Sequence, residues 1–319
     1  MTLGLHRKPV CATAPGKVIL LGEHAVVYGR TALAAAIDRH VTVRIQHPRN
    51  TRKGTLSDPR LAEVLARAAD IVGLPSTGWV ANISTDLPLA MGLGSSAALS
   101  VALVRALARF GRRRLDAAAV CAAAFEIEKI FHGFPSGIDN TVATYGGLIA
   151  FERGAAVRPL TARRSLPLVV ALGRTPRRTQ QTVSALRRRW EAEPTACEPL
   201  FDEIAALVSA AERAIAAGNL ATLGAAMNAN HRVLQRLEIS TDELDLMIGL
   251  ARTHGALGAK LTGGGGGGAA ICLCDGNSAD LVGAFTRAGW QAFATEIGAT
   301  QRGAYAGDSP GHLDAHPVR

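Results

Sequence analysis

The chain has 319 residues, and its content of 48% hydrophobic and 19% charged residues is typical of a folded globular protein rather than a disordered one. No apolar run reaches the roughly 18 to 20 residues that a membrane-spanning helix needs, so we expect no membrane association and a cytoplasmic location. The five cysteines are scattered and odd in number, which argues against a disulfide framework and predicts core thiols in a reducing compartment.

The formal net charge of +9 raises the question of a nucleic-acid partner, because an arginine surplus attracts polyanions. The arginines cluster at 112–114, 163–164, 174–178 and 187–189. Aromatic residues make up only 4% of the chain, and no stacking motif or helix-turn-helix pattern accompanies the clusters. We therefore expect no nucleic-acid partner and assign the clusters to solvated helix faces, with an anionic small molecule as a further explanation.

The first predicted elements surround a lysine. Residues 10–22 predict two short strands broken at Pro15-Gly16, with Lys17 at the start of the second strand and facing either water or a cleft. The next elements are an apolar stretch at 25–37, a strand at 41–45, a helix from Ser57 or Asp58 to Gly73 and a strand at 79–83.

Residues 90–105 form a glycine-punctuated turn that leads into a long apolar helix, and two interpretations stay open. As a phosphate cradle, Gly92 and Gly94 would let the backbone approach a ligand, while Ser95 and Ser96 would bring hydroxyls to the helix N-terminus. As a purely structural feature, the serines would cap a buried helix. A dinucleotide site is disfavoured, because no acidic residue follows about twenty positions on at a strand end.

The next helix is predicted at 116–131, with Glu126 and Glu128 near its end. These carboxylates lie two residues apart, so only one of them can face the glycine-rich turn. The segment 132–140 is rich in glycine, proline and polar groups and therefore predicts a loop, which a strand at 147–151 follows.

A composition shift near 160–168 predicts a boundary between domains at 1–165 and 166–302, with 303–319 as a frayed tail. The elements predicted for the second domain are strands at 166–172, 259–261, 269–274 and 291–297, and helices at 179–190, 200–217, 220–237, 240–254 and 278–288. Ser240 and Glu243 predict a capping box. The six glycines at 263–268 lose much backbone entropy on folding. This cost favours a segment whose backbone closely approaches a ligand over a merely flexible turn. Together these patterns predict an α+β fold.

The residue types that phosphoryl transfer requires are all present. Ser95 and Ser96 can offer N–H donors and a hydroxyl, and Glu128 supplies the hard carboxylate that Mg²⁺ prefers. Lys17 can stabilise developing charge, and Asp139 can accept a proton. Spacing alone does not show that these groups converge.

Three segments resemble the signature motifs of the GHMP small-molecule kinases. They are residues 15–29, beginning Pro-Gly-Lys and containing Gly-Glu-His, residues 92–98, Gly-Leu-Gly-Ser-Ser-Ala-Ala, and residues 260–268, Lys-Leu-Thr with the glycine run. Within that superfamily, residues 22–29 and 128–140 are similar to the mevalonate kinase family. The match spans nearly the whole chain in the expected order.

The resemblance implies a two-domain GHMP kinase fold, with an N-terminal domain similar to ribosomal protein S5 domain 2 and a ferredoxin-like C-terminal domain. It also implies ATP-dependent phosphorylation of the 5-hydroxyl of (R)-mevalonate in isoprenoid biosynthesis. Mg²⁺ would be the cofactor, with mevalonate and ATP as the small-molecule partners. The oligomeric state stays open, a homodimer included.

By position in these motifs, the resemblance implies that Asp139 is the catalytic base, that Lys17 is its cationic partner, and that Ser96 and Glu128 are Mg²⁺ ligands. The implied ATP contacts are Gly92, Leu93, Gly94, Ser95, Ser96 and Thr85. The implied mevalonate contacts are Glu23, His24, Thr179 and Gly263, with Arg177 beside Thr179. A structural role for His24, His132 and Thr179 stays open as the alternative.

The chain departs from the family pattern at two places. Ala90-Met91 stands where relatives usually have small residues such as Gly-Ala, which predicts a wider phosphate loop or altered contacts to the β-phosphate, and Gly264 replaces a more usual alanine. The nearest alternative function is another GHMP kinase, acting on phosphomevalonate or a sugar. A decarboxylase of the superfamily is disfavoured because Lys17 is retained. A nucleic-acid-binding protein, which would explain the arginines, and an inactive binding module are the remaining alternatives.

Overall fold

The computed structural model describes residues 8–47, 58–133, 135–174 and 179–298. The strands are β1 (Val10–Leu21), β2 (Ala32–Gln46), β3 (Val80–Thr85), β4 (Leu148–Phe151), β5 (Arg158–Leu160), β6 (Leu166–Leu172), β7 (Gly258–Thr262), β8 (Ala269–Leu273) and β9 (Gln291–Ile297). The helices are α1 (Pro59–Ile71), α2 (Ser95–Gly111), α3 (Ala117–His132), α4 (Ile138–Tyr145), α5 (Thr179–Ala192), α6 (Pro194–Ala217), α7 (Leu220–Arg236), α8 (Asp242–Thr253) and α9 (Ser278–Arg287). A 3-10 helix at Ala25–Tyr28 separates β1 from β2. The predicted tail at 303–319 lies outside the described residues.

The chain packs as two compact units. Of the described residues, those up to 17 and those within 38–88 and 94–146 form the first unit, and those within 18–37 and 89–93 and from 147 onward form the second. Both β1 and β2 contribute residues to each unit. In strand order, one sheet runs β1-β2-β4-β5 with β3 also paired to β2, and the other runs β7-β8-β6-β9.

The core of the first unit forms around α2. Alanine, leucine and valine at most of its positions leave little of this helix exposed, and α1, α3 and α4 pack against it. The predicted helix α1 is confirmed, because Asp58 caps its N-terminus by accepting a hydrogen bond from the Arg60 N–H and Pro59 occupies its first position. β2 pairs antiparallel with β3, in register from Val41 opposite Thr85 to Gln46 opposite Val80.

The second unit contains the four-stranded antiparallel sheet, whose central strands β6 and β8 pair in register from Leu168 opposite Leu273 to Leu172 opposite Ala269. Every residue of β7 and β8 is buried, which explains the unbroken apolar sequence of β8; in β7 the burial extends to Lys260 and Thr262. The helices α6 and α7 pack against each other. In this unit β4 also pairs antiparallel with the start of β2, from Ala32 opposite Phe151 to Ala35 opposite Leu148. The predicted α+β organisation is confirmed.

Two backbone predictions near the candidate site are wrong. β1 continues unbroken through Pro15-Gly16, which places Lys17 within a strand and not at the start of one. Proline is tolerated on an edge strand, as β1 is in the described part of its sheet, because alternate backbone groups of such a strand have no ladder partner. The loop predicted at 132–140 ends early, since α4 begins at Ile138 after Gly137, whose φ of 92° only glycine adopts readily.

Two smaller predictions are also wrong. Thr241, not Ser240, caps α8, and the Ser240 hydroxyl bonds the Asp245 carboxylate at 2.5 Å instead. The thiol of Cys11 is exposed and that of Cys121 is half-buried, so only Cys197, Cys272 and Cys274 are the expected core thiols. Among the described residues, no helix is both long and apolar enough to cross a bilayer.

Candidate active site

A lysine and an aspartate form an ion pair in the first unit. Lys17, near the end of the part of β1 that belongs to this unit, is 2% exposed, and Asp139 lies in the first turn of α4. The Lys17 Nζ and Asp139 Oδ1 atoms are 3.1 Å apart, and the aspartate side chain keeps 31% of its surface exposed. The two residues that the sequence could not bring together are therefore in contact, with the carboxylate accessible from solvent.

The glycine-rich turn approaches this lysine closely. Gly94 has a φ of 75°, and a Cβ atom at this position would lie 2.9 Å from the Lys17 Cγ atom. Both the positive φ and the short distance to Lys17 require glycine at this position. Ser95 and Ser96 then begin α2, and an α-helix leaves its first N–H groups without intrahelical acceptors and with partial positive charge. The turn thus presents an anion-binding helix terminus beside Lys17.

Glu128 joins α3 to the first turns of α2. Its Oε2 atom accepts a hydrogen bond from the Ser96 hydroxyl at 3.1 Å, and its Oε1 atom accepts one from the Ser100 hydroxyl at 3.1 Å. The imidazole Nε2 of His132 lies 3.0 Å from the Ser96 Oγ and 3.6 Å from the Glu128 Oε2. Glu126 instead points outward and pairs with Lys129, so the prediction that only one of the two glutamates faces the turn is confirmed.

Burial raises the pKa of Glu128 to about 7, and the negative charge of Asp139 adds to that shift. The hydroxyls of Ser96 and Ser100 and the charge of Lys17 act in the opposite direction. A buried carboxylate next to a hydroxyl is a hard-oxygen donor set that suits Mg²⁺. Among the described residues, no group of three or more His, Cys, Asp or Glu side chains could hold a metal ion.

The second unit contains an ion pair whose two partners are both buried. The Lys260 Nζ atom, on β7, donates to Glu23 Oε1 and also to the Leu261 carbonyl at 2.6 Å, and the Asn230 amide donates to Glu23 Oε2 at 3.3 Å. Lys260 is 0% exposed and Glu23 is 1% exposed. The sequence predicted a role for Glu23 but gave none to Lys260 or Asn230. A lysine between alanine and leucine in a predicted strand is the signal that could have indicated a buried carboxylate partner.

His24 follows Glu23 in a strained backbone conformation. Its φ of 62° and ψ of −51° are those of a γ-turn with positive φ, the rarer of the two mirror-image types. A 2.7 Å hydrogen bond from the Ala25 N–H to the Glu23 carbonyl closes this turn. Burial lowers the pKa of His24 to about 4, a backbone bond with Gly264 opposes this, and the charge of Lys260 lowers it further. The imidazole is therefore neutral at pH 7, and its buried Nε2 atom has no hydrogen-bond partner among the described residues. Strain of this kind is common at functional sites.

The glycine run at 263–268 is constrained by the protein itself. A Cβ atom at Gly265 would collide with the Ile239 side chain and lie 2.5 Å from the Ile239 carbonyl oxygen. The Gly266 N–H bonds that same carbonyl at 3.0 Å, and the Gly173 N–H bonds the Gly268 carbonyl at 2.7 Å. Close backbone packing thus requires glycine in this segment without any ligand, and Gly263, with a φ of 87°, begins it.

The other predicted contact residues have local roles in the structure. The Thr85 hydroxyl donates to the His40 carbonyl at 3.1 Å and accepts from the Leu87 N–H at 3.0 Å. Gly92 has a φ of 85°, and Leu93 is buried. Ala90 also has a positive φ, 61°, which explains why glycine suits that position. Thr179 is the first residue of α5; its side chain and Arg177 lie outside what the structure describes.

Three family models match the sequence: "GHMP kinases N terminal domain" over residues 58–147, "GHMP kinases C terminal" over 211–291 and "Galactokinase galactose-binding signature" over 4–47. The mevalonate kinase of Methanothermobacter thermautotrophicus is 34% identical over 90% of this chain and 97% of its own length. That of Pyrococcus abyssi is 33% identical over 90% of this chain and 95% of its own length. The chain belongs to the mevalonate kinase family of the GHMP kinases. The structure of the L. major family member in complex with R-mevalonate is 31% identical and matches with a TM-score of 0.81, over 90% of this chain and 95% of that one.

Proposed function

We propose that this member of the mevalonate kinase family transfers the γ-phosphoryl group of ATP to the 5-hydroxyl of mevalonate. The observation that carries the proposal is the contact between Lys17 and Asp139, 3.1 Å apart beside Gly94 at the start of α2. A carboxylate, a cation and an anion-binding helix terminus thus meet in one place. Transfer of a phosphoryl group to an alcohol requires these three components.

Asp139 acts as the base that accepts the proton of the attacking hydroxyl, and its exposed fraction of 31% leaves room for the acceptor. Lys17 orients that carboxylate and stabilises the negative charge that develops on the transferred group. Because Lys17 is buried, its charge is poorly screened by water and acts strongly at short range.

The ATP phosphates would bind the N-terminus of α2, through the backbone of residues 92–96 and the Ser95 and Ser96 hydroxyls. We retain Thr85 as a further ATP contact at the end of β3. Ser96 and Glu128 would hold Mg²⁺, which neutralises charge on the phosphates when it is bound. Glu128 is already held by two hydroxyl groups at 3.1 Å, an arrangement that fixes the carboxylate before the cation arrives.

Mevalonate would contact Glu23, His24, Thr179 and Gly263. The buried pair of Glu23 with Lys260 supports this assignment, because it fixes the backbone next to the strained His24 turn. We also keep the domain bounds 1–165 and 166–302 in the proposal. Each GHMP family-model match, at 58–147 and 211–291, falls within one of these ranges.

The test is an ADP-release assay with ATP and Mg²⁺ on mevalonate, phosphomevalonate and galactose in turn. We expect turnover of mevalonate alone, and Asp139→Asn should lower kcat by about 100- to 10,000-fold, the usual contribution of a general base. Glu126→Gln is the matched control, because it removes an exposed carboxylate of α3 that pairs only locally with Lys129. Normal turnover by Asp139→Asn would remove the base assignment.

The galactose arm tests a second candidate function. The galactokinase signature matches residues 4–47, a range that contains β1, the 3-10 helix and β2, so a sugar is the most specific rival acceptor. Phosphorylation of galactose with no activity on mevalonate would replace the proposed acceptor while leaving the phosphate and base assignments in place.

A further inference from the structure

Arg105, in the middle of α2, bonds two other elements of the first unit at once. Its Nη1 donates to the Thr13 carbonyl of β1 at 3.2 Å, and its Nη2 donates to the Thr144 carbonyl of α4 at 2.7 Å. A guanidinium group is planar and presents its donors in a fixed fork, so two simultaneous bonds define the relative position of both acceptors. Arg105 therefore links α2, β1 and α4.

A neighbouring arginine makes only part of this connection. Arg109, one turn further along α2, donates to the Cys11 carbonyl of β1 at 3.0 Å. Four residues of helix rise about 6 Å and two residues of strand about 6.6 Å, so the two arginines match two carbonyls on the same side of β1. Among the described residues, Arg109 makes no bond to α4, and it is therefore a matched control for Arg105.

The Thr144 carbonyl is a suitable acceptor because it lies in the last turn of α4. Helix-terminal carbonyls lack intrahelical N–H partners and carry partial negative charge, which a cation stabilises. Thr144 is buried, so solvent does not readily replace the guanidinium. The bond thus anchors the C-terminal end of the short helix whose first turn contains Asp139.

Each of the three linked elements supplies one group of the candidate site. Lys17 follows Thr13 by four residues of strand, about 13 Å. Asp139 precedes Thr144 by five residues of helix, about 7.5 Å, and Ser96 precedes Arg105 by nine, about 14 Å. Because these connecting segments are short pieces of helix or strand, the bonds of the guanidinium also fix where the Lys17–Asp139 pair and the phosphate-binding turn lie.

We propose that Arg105 is a positioning residue for phosphoryl transfer, which sets the distance between Lys17 and Asp139 by holding β1 and α4 against α2. This inference rests on the proposed function. Arg105 touches none of the reacting atoms and acts through the backbone of the elements that carry them. A displacement of about 1 Å at a reacting centre can cost on the order of 100-fold in rate, so the loss of this link is measurable.

The experiment compares Arg105→Met with Arg109→Met in the full-length enzyme, by steady-state kinetics with mevalonate and ATP. We expect Arg105→Met to lower kcat by about 10- to 100-fold with both KM values within about threefold of wild type, since positioning affects the chemical step. Arg109→Met should change kcat less than about threefold. Circular dichroism and thermal unfolding establish that both variants are folded.

A double-mutant cycle with Asp139→Asn separates positioning from general destabilisation. If Arg105 acts through the Lys17–Asp139 pair, Arg105→Met should lower the residual single-turnover rate of Asp139→Asn by less than about threefold, because the coupled group is already absent. Equal kcat values for the two arginine variants, or an Arg105 effect that is fully additive with Asp139→Asn, would overturn the inference. Absence of mevalonate turnover by the wild-type enzyme would instead refute the proposed function, so the two failures are distinguishable.

Discussion

Replacing Lys260 by methionine tests whether the buried pair with Glu23 stabilises the second unit. The substitution keeps the length of the side chain but leaves the Glu23 carboxylate, 1% exposed, without its ammonium partner. Removing one partner of a buried ion pair typically costs about 3–5 kcal/mol in the free energy of unfolding. For cooperative unfolding of all 319 residues, an unfolding entropy of roughly 2.1 cal/mol/K per residue converts this to a Tm decrease of about 5–7 °C, and separate unfolding of the second unit would make the decrease larger.

The assay is thermal and urea unfolding followed by circular dichroism, with midpoints compared at pH 7. Lys129→Met is the matched control: Lys129 pairs with Glu126 at 2.6 Å, but both side chains are more than 40% exposed, so we expect a change below about 1 kcal/mol. The double variant Glu23→Gln with Lys260→Met removes both charges and should be more stable than Lys260→Met alone.

Two outcomes would refute this reasoning. One is a Lys260→Met midpoint no lower than that of Lys129→Met, which would mean that water or another group replaces the ammonium. The other is a double variant less stable than the single one, because the uncompensated charge would then not be the source of the loss.

Two further predictions concern backbone and protonation. His24 has a folded-state pKa of about 4 against 6.5 in the unfolded chain, so the unfolded state takes up the proton first as the pH falls. The contribution of His24 to the free energy of unfolding should therefore fall by roughly 3 kcal/mol between pH 6.5 and pH 4, whereas Glu128, with its pKa raised to about 7, contributes in the opposite direction. The difference in unfolding free energy between wild type and His24→Gln, measured in urea at each pH, isolates the histidine and should fall by that amount; a difference that stays constant with pH would contradict the assignment. Gly94→Ala should lower kcat at least about tenfold, because its Cβ would displace Lys17 in addition to the strain at a φ of 75°. Gly154→Ala, at a φ of 82° with no atom within 4 Å, carries the strain alone and should keep its kcat, and similar rates for the two variants would exclude the steric effect.

How much of the structure could be predicted from the sequence depends on how far apart in the sequence the interacting residues lie. The helix α2 and the glycine turn before it follow from local composition, as do the cap at Asp58 and the outward direction of Glu126. The Lys260–Glu23 pair joins residues 237 positions apart, and no local pattern reports such a contact. The start of α4 was missed because a Gly-Pro-Ser-Gly composition indicates a loop, whereas Gly137 uses its positive φ to begin a helix.

The same logic applies within the candidate site. The residue types for phosphoryl transfer were visible in the sequence, but the continuity of β1 through Pro15 was not, and it places Lys17 in a buried strand. The glycine run was interpreted as a ligand approach, while the packing of Gly265 against Ile239 supplies a sufficient reason within the protein. Roles that depend on three-dimensional neighbours, such as that of Arg105, have no signature in a single sequence.

The arginines along α2 also affect how the protein associates with itself. β1 is an edge strand in the described part of its sheet, and free edge carbonyls and N–H groups are templates for the strands of other molecules. Here the carbonyls of Cys11 and Thr13 are already occupied by guanidinium groups, and Pro15 has no N–H to donate. Over residues 11–15 this edge of the sheet is thereby blocked to strand addition, so the contacts that link α2 to β1 also disfavour edge-to-edge association there, while the opposite edge strand, β5, is only three residues long.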